Sequence, residues 1–353
     1  MPPHFVLVNI YGMKSKKSAN IYTIFTILFF FILFSQVLAY ADTIVLSNGD
    51  TLTGTITELS GDQLAVDTEY AKSLSINWGK VVSIEMQEIL FIELKDEQTV
   101  RSKIKANREG WFLEDESGQL RAFAKEEIHS FSRKKPKYWI LEYDLSYQQK
   151  TGNISNDDFR TSLNVKKKKR KYNLVFEASY AHGETEEEVS ADRWDILFKY
   201  DHLMTKKIYR RGFFFFERDR VIGIDRRFQT GPAIGYRFYD KETLSLSSDV
   251  GTLREETKYE NGNHDSEFKG LWNIDFSYVP FPEIRVEAMF RWIQGFDEAT
   301  DYEITSEASL SVPLMGGFSL KTSIIDRYDN KPQPGMKRND TTLLVSLSYR
   351  TKF

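Results

Sequence analysis

Apolar and polar residues alternate through most of the chain from residue 138 to the last residue, and this pattern constrains the fold more than any other feature. The final segment, TLLVSLSYRTKF, is typical. Its two phases are Leu343, Val345, Leu347, Tyr349 and Phe353 on one side and Leu344, Ser346, Ser348, Arg350 and Lys352 on the other. A period of two residues predicts a β-strand with one apolar face and one polar face. Because chain ends normally fray in water, a strand patterned to its final residue is expected to pair with another strand.

The same alternation recurs in twelve segments, each close to the length that a tilted strand needs to cross a bilayer. The fifth segment is the least regular, because its sequence YRRGFFFFER does not alternate cleanly. An even number of such strands favours a closed membrane barrel over a soluble β-sandwich, since a closed barrel has no edge strand to protect. The predicted strands lie near 138–148, 159–166, 171–182, 191–202, 207–217, 225–238, 242–253, 267–279, 283–294, 301–312, 316–328 and 340–353.

The predicted connections fall into two kinds that alternate along the chain. Odd-to-even connections such as QKTGNISNDD and DNKPQPGMKRN are long and polar, whereas even-to-odd connections such as YDKE and PLMGG are short. Barrels of the bacterial outer membrane show this asymmetry, with the short turns on the periplasmic side. Aromatic residues near strand ends, such as Trp139, Tyr200 and Trp292, also match the interfacial girdles of these barrels.

The composition agrees with strands that have one apolar face and one wet face. Aromatic residues make up 14% of the chain, with 26 Phe and 18 Tyr, although the mean hydropathy is -0.44. A charged fraction of 28% excludes a bundle of transmembrane helices. The absence of cysteine excludes disulfides, thiolate metal sites, cysteine nucleophiles and a lipid-modified N-terminal cysteine. The net charge of -3 gives no indication of nucleic-acid binding.

Residues 1–41 are predicted to be a secretory signal peptide. Three lysines precede the apolar run 21–38, which is followed by the small-x-small sequence AYA at 39–41. Cleavage there makes Asp42 the first mature residue, and Met13, just before the lysines, is an alternative start of translation. A retained helical anchor is the competing interpretation, because the apolar run is nearly long enough to span a bilayer.

The region between the signal and the barrel alternates over shorter strands that are separated by turn signals such as Asn48-Gly49. Its plan repeats once, and the segment from Ile92 aligns by eye with the segment from Val45. We therefore predict tandem SH3-like small β-barrel modules, which either support the barrel mouth or act as an adaptor. The predicted domains are a module at 42–87, a second at 88–132, a basic linker at 133–137 and the transmembrane barrel at 138–353.

The polar phase of the predicted barrel strands carries both signs of charge. These side chains belong in the lumen, because Lys or Arg facing lipid at the bilayer midplane costs about 2–4 kcal/mol. Two interpretations remain open: a narrow polar pore whose electric field selects solutes, or a salt-bridge network that fills a structural barrel. The predicted lumen-lining residues are Arg227, Arg237, Arg285, Glu287, Arg291 and Glu303.

Several segments resemble a known family. They are YDLSYQQKTGNISNDDFRTSLNV, the stretch at 191–238 and the terminal LLVSLSYRTKF, and the most specific part runs from ERDR at 217–220 through GIDRR at 223–227 to GYR at 235–237. Over about 138–353 the chain resembles family 481 of the domains of unknown function, whose members are often labelled salt-induced outer-membrane proteins. The resemblance implies an outer-membrane β-barrel of unestablished function and supplies no catalytic residues.

No pattern of catalytic or metal-binding residues occurs, so the chain is predicted not to be an enzyme and to use no cofactor. His202 beside Asp201 is the nearest to an acid/base pair, but the alternation places the two side chains on opposite faces of one strand. The last strand carries apolar residues that match the signal recognised by barrel-assembly machinery. These residues are Val345, Leu347, Tyr349 and Phe353.

The predicted fold is therefore all-β, a transmembrane antiparallel up-and-down barrel of about 12 strands that follows tandem SH3-like modules. The predicted location is the outer membrane, with the N-terminal region in the periplasm. The predicted partners are outer-membrane lipid, the barrel-assembly machinery and a periplasmic protein or envelope polymer. Two functions are considered: a narrow polar or ion channel, or envelope (salt) stress component, and alternatively a non-conducting adaptor barrel that binds a periplasmic partner.

Overall fold

The computed structural model describes residues 41–150, 156–185, 188–282 and 284–353. The predicted signal peptide lies outside these residues except for Ala41. No helix in the described part of the chain is both long enough and apolar enough to cross a membrane. The chain divides into two compact units between Lys134 and Lys135.

From residue 41 onward, the first unit consists of ten short strands and two 3₁₀ turns, Trp78–Lys80 and Lys125–Glu127. Six of the strands close a ring in the order β1-β5-β7-β6-β10-β2, because β1 also pairs with β2. The strands β3 and β4 extend the sheet from β2, and β8 and β9 extend it from β7. The strands are β1 (Asp42–Leu46), β2 (Thr51–Ser60), β3 (Gln63–Asp67), β4 (Leu74–Asn77), β5 (Val81–Glu85), β6 (Leu90–Leu94), β7 (Thr99–Asn107), β8 (Gly110–Glu114), β9 (Leu120–Phe123) and β10 (Ile128–Ser132).

The two sequence repeats form one barrel, where the sequence predicted two separate SH3-like modules. Each repeat supplies five strands and a 3₁₀ turn in the same order, but β5 of the first pairs with β7 of the second. Likewise β10 of the second repeat pairs with β2 of the first. Neither repeat can therefore close a ring by itself, and their apolar faces meet in a single shared core.

The core of this small barrel also corrects the alignment of the repeats. Ile44 and Ile92 both have 0% exposed surface, and each is the third residue of its strand. Ile56 and Ile104 are likewise fully buried, and each is the sixth residue of its strand. Ile92 therefore corresponds to Ile44 rather than to Val45. In a strand, this one-residue difference moves every side chain to the other face.

Two polar side chains complete the small barrel. The buried carboxylate of Asp42, the predicted first mature residue, accepts hydrogen bonds from the backbone N–H groups of Ile56 at 2.7 Å and Gln87 at 2.8 Å. Lys125 Nζ lies 4.7 Å from the ring centre of Trp78 and donates to the carbonyl oxygens of Trp78 and Val81. Desolvation of its ammonium lowers the pKa of Lys125 from its ordinary value of 10.5.

The second unit is a closed antiparallel barrel of twelve strands, each paired with its neighbours in sequence. This confirms the twelve predicted strands. The strands are β11 (Trp139–Lys150), β12 (Asn156–Lys168), β13 (Tyr172–Thr185), β14 (Glu188–Leu203), β15 (Ile208–Asp219), β16 (Ile224–Asp240), β17 (Leu244–Tyr259), β18 (His264–Phe281), β19 (Ile284–Gly295), β20 (Tyr302–Pro313), β21 (Phe318–Asp329) and β22 (Asn339–Lys352).

The last strand closes the barrel against the first. Trp139 and Phe353 exchange two backbone hydrogen bonds, each of 3.0 Å between nitrogen and oxygen. Their rings stack with centres 6.5 Å apart. The C-terminal aromatic residue is therefore held by the seam between β11 and β22, as expected for a strand that would otherwise be an exposed edge.

The two ends of the large barrel differ in their connections. We call the end at 204–207, 241–243 and 314–317 the turn end, where β11 begins and β22 finishes. The opposite end, with connections at 220–223, 260–263, 296–301 and 330–338, is the loop end. The strands extend further toward the loop end than predicted. For example, β13 ends at Thr185 and β14 begins at Glu188, so most of the predicted GETEEEVSA connection belongs to these two strands.

The outer surface of the large barrel is apolar, as the alternation predicts. On β22, Leu343 is 67% exposed and Val345 is 56% exposed, whereas the alternate residues Ser346 and Ser348 are 7% and 2% exposed. The irregular fifth strand follows the same rule once its ring residues are assigned: Phe215 is buried inside, and Phe214 is exposed outside. Such a continuous exposed apolar surface is the pattern of a membrane-spanning barrel.

Candidate functional site

The interior of the large barrel brings charged side chains together near the loop end. Arg227 Nη1 lies 3.3 Å from Glu303 Oε2 and 3.5 Å from Glu217 Oε2. Lys269 Nζ lies 3.1 Å from Glu255 Oε1 and 3.5 Å from Glu303 Oε1. We call these residues, with Arg193 2.9 Å from Glu217, the loop-end network. Each of the three cations in this network has at least one close carboxylate partner, which offsets the cost of removing its charge from water.

A second buried network lies nearer the turn end. Arg211 donates to Asp201 at 2.7 Å and to Asp249 at 2.6 Å. The Tyr209 hydroxyl donates to Asp249 at 3.1 Å, and the Asn273 amide donates to the other Asp249 oxygen at 2.8 Å. Asp249 is only 1% exposed, so its charge is neutralised entirely by protein groups. These five residues form the turn-end network.

An apolar cluster separates the two networks along one side of the lumen. Leu253, Leu271 and Ile293 are at most 7% exposed and pack with Phe213. In sequence, Leu253 lies between Asp249 and Glu255 on β17, and Leu271 lies between Lys269 and Asn273 on β18. The side of the lumen formed by β14 to β19 therefore has an ionic layer, an apolar layer and a second ionic layer, and we call it the filled wall.

Glycine on β16 makes room for this packing. A Cβ atom at Gly235 would lie 2.2 Å from Cζ of Tyr209, and one at Gly231 would lie 2.0 Å from the carbonyl oxygen of Thr252. Both distances are far inside van der Waals contact, so larger residues would displace Tyr209 or the backbone of β17. The glycines thus allow the interior side chains of neighbouring strands to occupy the space above β16.

The opposite side of the lumen carries serines as well as long charged side chains and borders a cavity of about 670 Å³, which the filled wall also lines. We call this side, formed by β11 to β13 and β20 to β22, the open wall. The cavity reaches from Glu142 and Lys321, near the turn end, to the 330–338 connection at the loop end. Small residues of the open wall that line it include Ser146, Ser162, Ser179, Ser323 and Ser346.

At the seam, two cations form ion pairs near the turn-end limit of the cavity. Lys321 Nζ lies 3.0 Å from Glu142 Oε1 and 2.7 Å from Asp144 Oδ2. Arg350 Nη1 pairs with the second oxygen of Glu142. These contacts join β21, β22 and β11 from inside, so they also stabilise the strand pair that closes the barrel.

The six predicted lumen residues occupy two levels of the interior. Arg227, Arg291 and Glu303 line the cavity. Nearer the turn end, Arg237 bonds to Asp240 at 3.0 Å, and Arg285 donates to Ser277 at 3.4 Å. Glu287 lies within 4.0 Å of both Arg285 and Arg350.

Sequence reasoning missed several members of the interior networks. Arg193, Arg211, Glu217 and Lys269 face the interior but are absent from the predicted lumen residues, although each continues the polar phase of its strand. Arg211 and Glu217 are on the fifth strand, β15, whose irregular alternation does not show which residues face inward. The sequence pattern also gave no sign of the apolar cluster around Leu253, because alternation alone assigns apolar residues to the lipid-facing side.

The side chains of Asp201 and His202, the acid/base pair considered in the sequence analysis, do not lie together in the structure. The Asp201 carboxylate accepts hydrogen bonds from Nε and Nη2 of Arg211. His202 is the next residue and lies on the opposite face of β14. Within the described ranges, no group of three or more His, Asp or Glu side chains is arranged to hold a metal ion.

Comparison with protein families decides the relationship of the second unit. Residues 143–350 match the profile of the family described as "Protein of unknown function, DUF481". The match covers more than half of the chain and nearly all of the large barrel. The chain belongs to the DUF481 family. A search of curated proteins found no match.

Solved structures similar to this DUF481 chain are distant ones. The KdgM porin in complex with disordered oligogalacturonate is 13% identical, with a TM-score of 0.33, and the match covers 60% of this chain and 98% of that chain. The NanC porin is 9% identical at a TM-score of 0.37, covering 60% and 96%. The translocator domain of the autotransporter NalP from Neisseria meningitidis is 11% identical at a TM-score of 0.37, covering 62% and 90%. Similarity this low supports no argument about function.

Proposed function

We propose that this DUF481 protein is an outer-membrane barrel whose lumen passes small ions or polar solutes along the open wall. The apolar exterior and the polar interior support insertion in a bilayer. The turn end faces the periplasm in this proposal, because it holds both ends of the barrel segment and the shorter connections. The small barrel, which precedes β11 in the chain, then lies in the periplasm.

The cavity along the open wall is the observation that carries the proposal. Its volume of about 670 Å³ is within the range of about 300–1,000 Å³ that holds small ligands. Its lining is rich in hydroxyl and charged groups, which can replace part of the hydration of a passing ion.

Single-channel recording in planar bilayers tests this proposal. The mature chain and the barrel at 138–353 should both give discrete currents. Ser323→Trp, which places a large ring on the inward side of β21, should lower the conductance several-fold. Thr322→Trp is the matched control, since this neighbouring residue is exposed on the outside and Ser323 is buried inside. A folded, inserted barrel that never conducts would contradict the proposal.

The filled wall supports a second candidate, a non-conducting adaptor barrel that presents the small barrel to a periplasmic protein or envelope polymer. Its buried ion pairs and apolar cluster give the rigidity that a support needs. Deleting residues 42–132 should then abolish co-purification of the partner and leave the large barrel folded. Unchanged co-purification would count against the adaptor.

Assembly forms a further part of the proposal. Val345, Leu347 and Phe353 are all exposed on the outside of the last strand, where assembly machinery can reach them. Replacing Phe353 with Ala should reduce the amount of folded barrel in the outer membrane, as measured by gel migration with and without heating. Replacing the exposed Tyr70 of the small barrel with Ala is the control and should leave that amount unchanged.

A further inference from the structure

The lumen carries opposite net charge at its two levels. Of the residues that line the cavity, sixteen are Asp or Glu and ten are Lys or Arg. Below the cavity toward the turn end, the inward positions carry eight basic residues against five acidic ones. The basic residues are Lys166, Lys168, Lys199, Arg211, Arg237, Arg285, Arg350 and Lys352, and the acidic ones are Asp201, Asp240, Asp249, Asp275 and Glu287.

The ion pairs of the lumen leave most of the excess negative charge of the cavity uncompensated, although Arg350, below the cavity, pairs with Glu142. The cations of the loop-end network are each shared among two or more carboxylates. Within the described part of the chain, Glu177, Glu307 and Asp297 line the cavity without an ion pair. In the same part of the chain, the lining cations Arg291 and Arg327 also have none. Glu177 and Glu307 are on β13 and β20, the two edge strands of the open wall, and the Glu177 carboxylate accepts a hydrogen bond of 3.2 Å from the Asn164 amide.

Fixed charges of opposite sign in series have a known effect in a narrow aqueous path. An acidic section concentrates mobile cations, and a basic section concentrates mobile anions. A voltage that drives cations from the acidic section toward the basic one fills the junction with ions of both signs. The reverse voltage empties the junction, so the current is smaller.

We propose that the lumen is a charge-polarised path that rectifies, passing small inorganic cations more readily from the loop end to the turn end and small anions in the opposite direction. This inference rests on the proposed conduction. It adds a direction and a substrate class, monovalent ions, to that function. The acidic cavity acts as a vestibule for cations, and the basic positions near the turn end form the section in series with it.

The experiment is a current–voltage curve of the mature chain in symmetric KCl at about 0.1 M and about 1 M. Orientation is fixed by biotin on Asn261→Cys in the 260–263 connection, since streptavidin then binds only on the side of the loop end. At the lower salt, current with the loop end positive should exceed the reverse current at least about twofold. At about 1 M the screening length falls to about 3 Å, and the ratio should approach one.

Isosteric amide variants test whether the carboxylates of the cavity cause the difference between the currents at the two voltage polarities. The triple variant Glu177→Gln, Glu307→Gln and Asp297→Asn should reduce the low-salt ratio toward one. Glu256→Gln is the matched control, because Glu256 lies beside Arg254 on the outside of β17, 2.7 Å away, and should leave the ratio unchanged. A linear curve at low salt, or rectification of the opposite sign, would overturn the inference alone. A barrel without any current would instead overturn the proposed function on which it rests.

Discussion

The chain contains two closed β-barrels that are built from the same alternating pattern, but the apolar face is inside the first barrel and outside the second. In the six-stranded barrel the buried phase is mostly aliphatic, and Ile44, Ile56 and Ile92 have no exposed surface. In the twelve-stranded barrel the apolar phase faces outward, and the buried phase contains Arg211, Asp249 and Glu217. The difference teaches that alternation specifies a two-faced sheet, while circumference and surroundings decide which face is inside.

Circumference explains what each interior can hold. A ring of six strands encloses only enough space for a closely packed core, which is mostly apolar and includes the hydrogen-bonded carboxylate of Asp42. Twelve strands enclose more volume than apolar side chains of a single layer fill. That volume is divided between the filled wall, which is packed like a protein core, and the open wall, which leaves the cavity.

The largest expected effect in the large barrel comes from removing a buried cation. Arg211→Ala leaves Asp201 and Asp249 without their partner, which should destabilise the barrel by about 3–5 kcal/mol. Urea unfolding followed by the loss of heat-modifiable gel migration measures this change. Arg254→Ala, which removes an exposed pair with Glu256, is the control and should cost less than about 1 kcal/mol. Equal effects of the two substitutions would contradict the ionic interior.

In the small barrel the matching experiment removes an aliphatic side chain. Ile92→Ala should destabilise this unit by about 2–5 kcal/mol, because a cavity remains in a core shared by both repeats. Hydrogen exchange of peptides from 42–132 in the full chain measures it. Peptides from both repeats should lose protection together if one barrel is formed. Loss confined to 88–132 would support two separate modules, and Val82→Ala on the exposed surface is the control.

The strands of the large barrel could be predicted from the sequence because each one repeats the pattern locally. The small barrel could not be predicted as one ring, since pairing between β5 and β7 joins segments that are distant in sequence and has no local signal. Within the lumen, alternation gives the face of Arg227 or Glu303 but not its partner across several strands. The inward orientation of Phe215 and Leu253 could not be predicted, because an apolar residue is compatible both with the lipid-facing surface and with a packed interior.

A pair of adjacent residues sharpens the comparison of the two faces. Val345→Arg places a cation on the lipid side and should cost about 2–4 kcal/mol if the residue lies near the bilayer midplane. Leu344→Arg places the same side chain in the cavity, where it should cost much less. Folding yield into lipid vesicles over a urea series compares the two variants. A larger cost for Leu344→Arg would reverse the assignment of the faces.

The smallest expected effect concerns Lys125, a partly buried cation of the small barrel. Because burial lowers the pKa of Lys125, the unfolded chain binds more protons than the folded chain between the folded pKa and 10.5. The stability of the small barrel should therefore gain from this residue as pH rises through that window. Lys125→Met should remove this part of the pH dependence in the hydrogen-exchange measurement. An unchanged slope would show that Lys125 is fully solvated.

The most direct test of the central claim uses the absence of cysteine in the natural sequence. Single cysteines at each position from 343 to 347, labelled with a nitroxide in lipid vesicles, report contact with oxygen, which concentrates in lipid, and with a nickel complex, which stays in water. We expect oxygen contact to dominate at 343, 345 and 347 and nickel contact at 344 and 346. Equal values along the strand, or the opposite phase, would contradict a lipid-facing apolar surface around an aqueous ionic lumen.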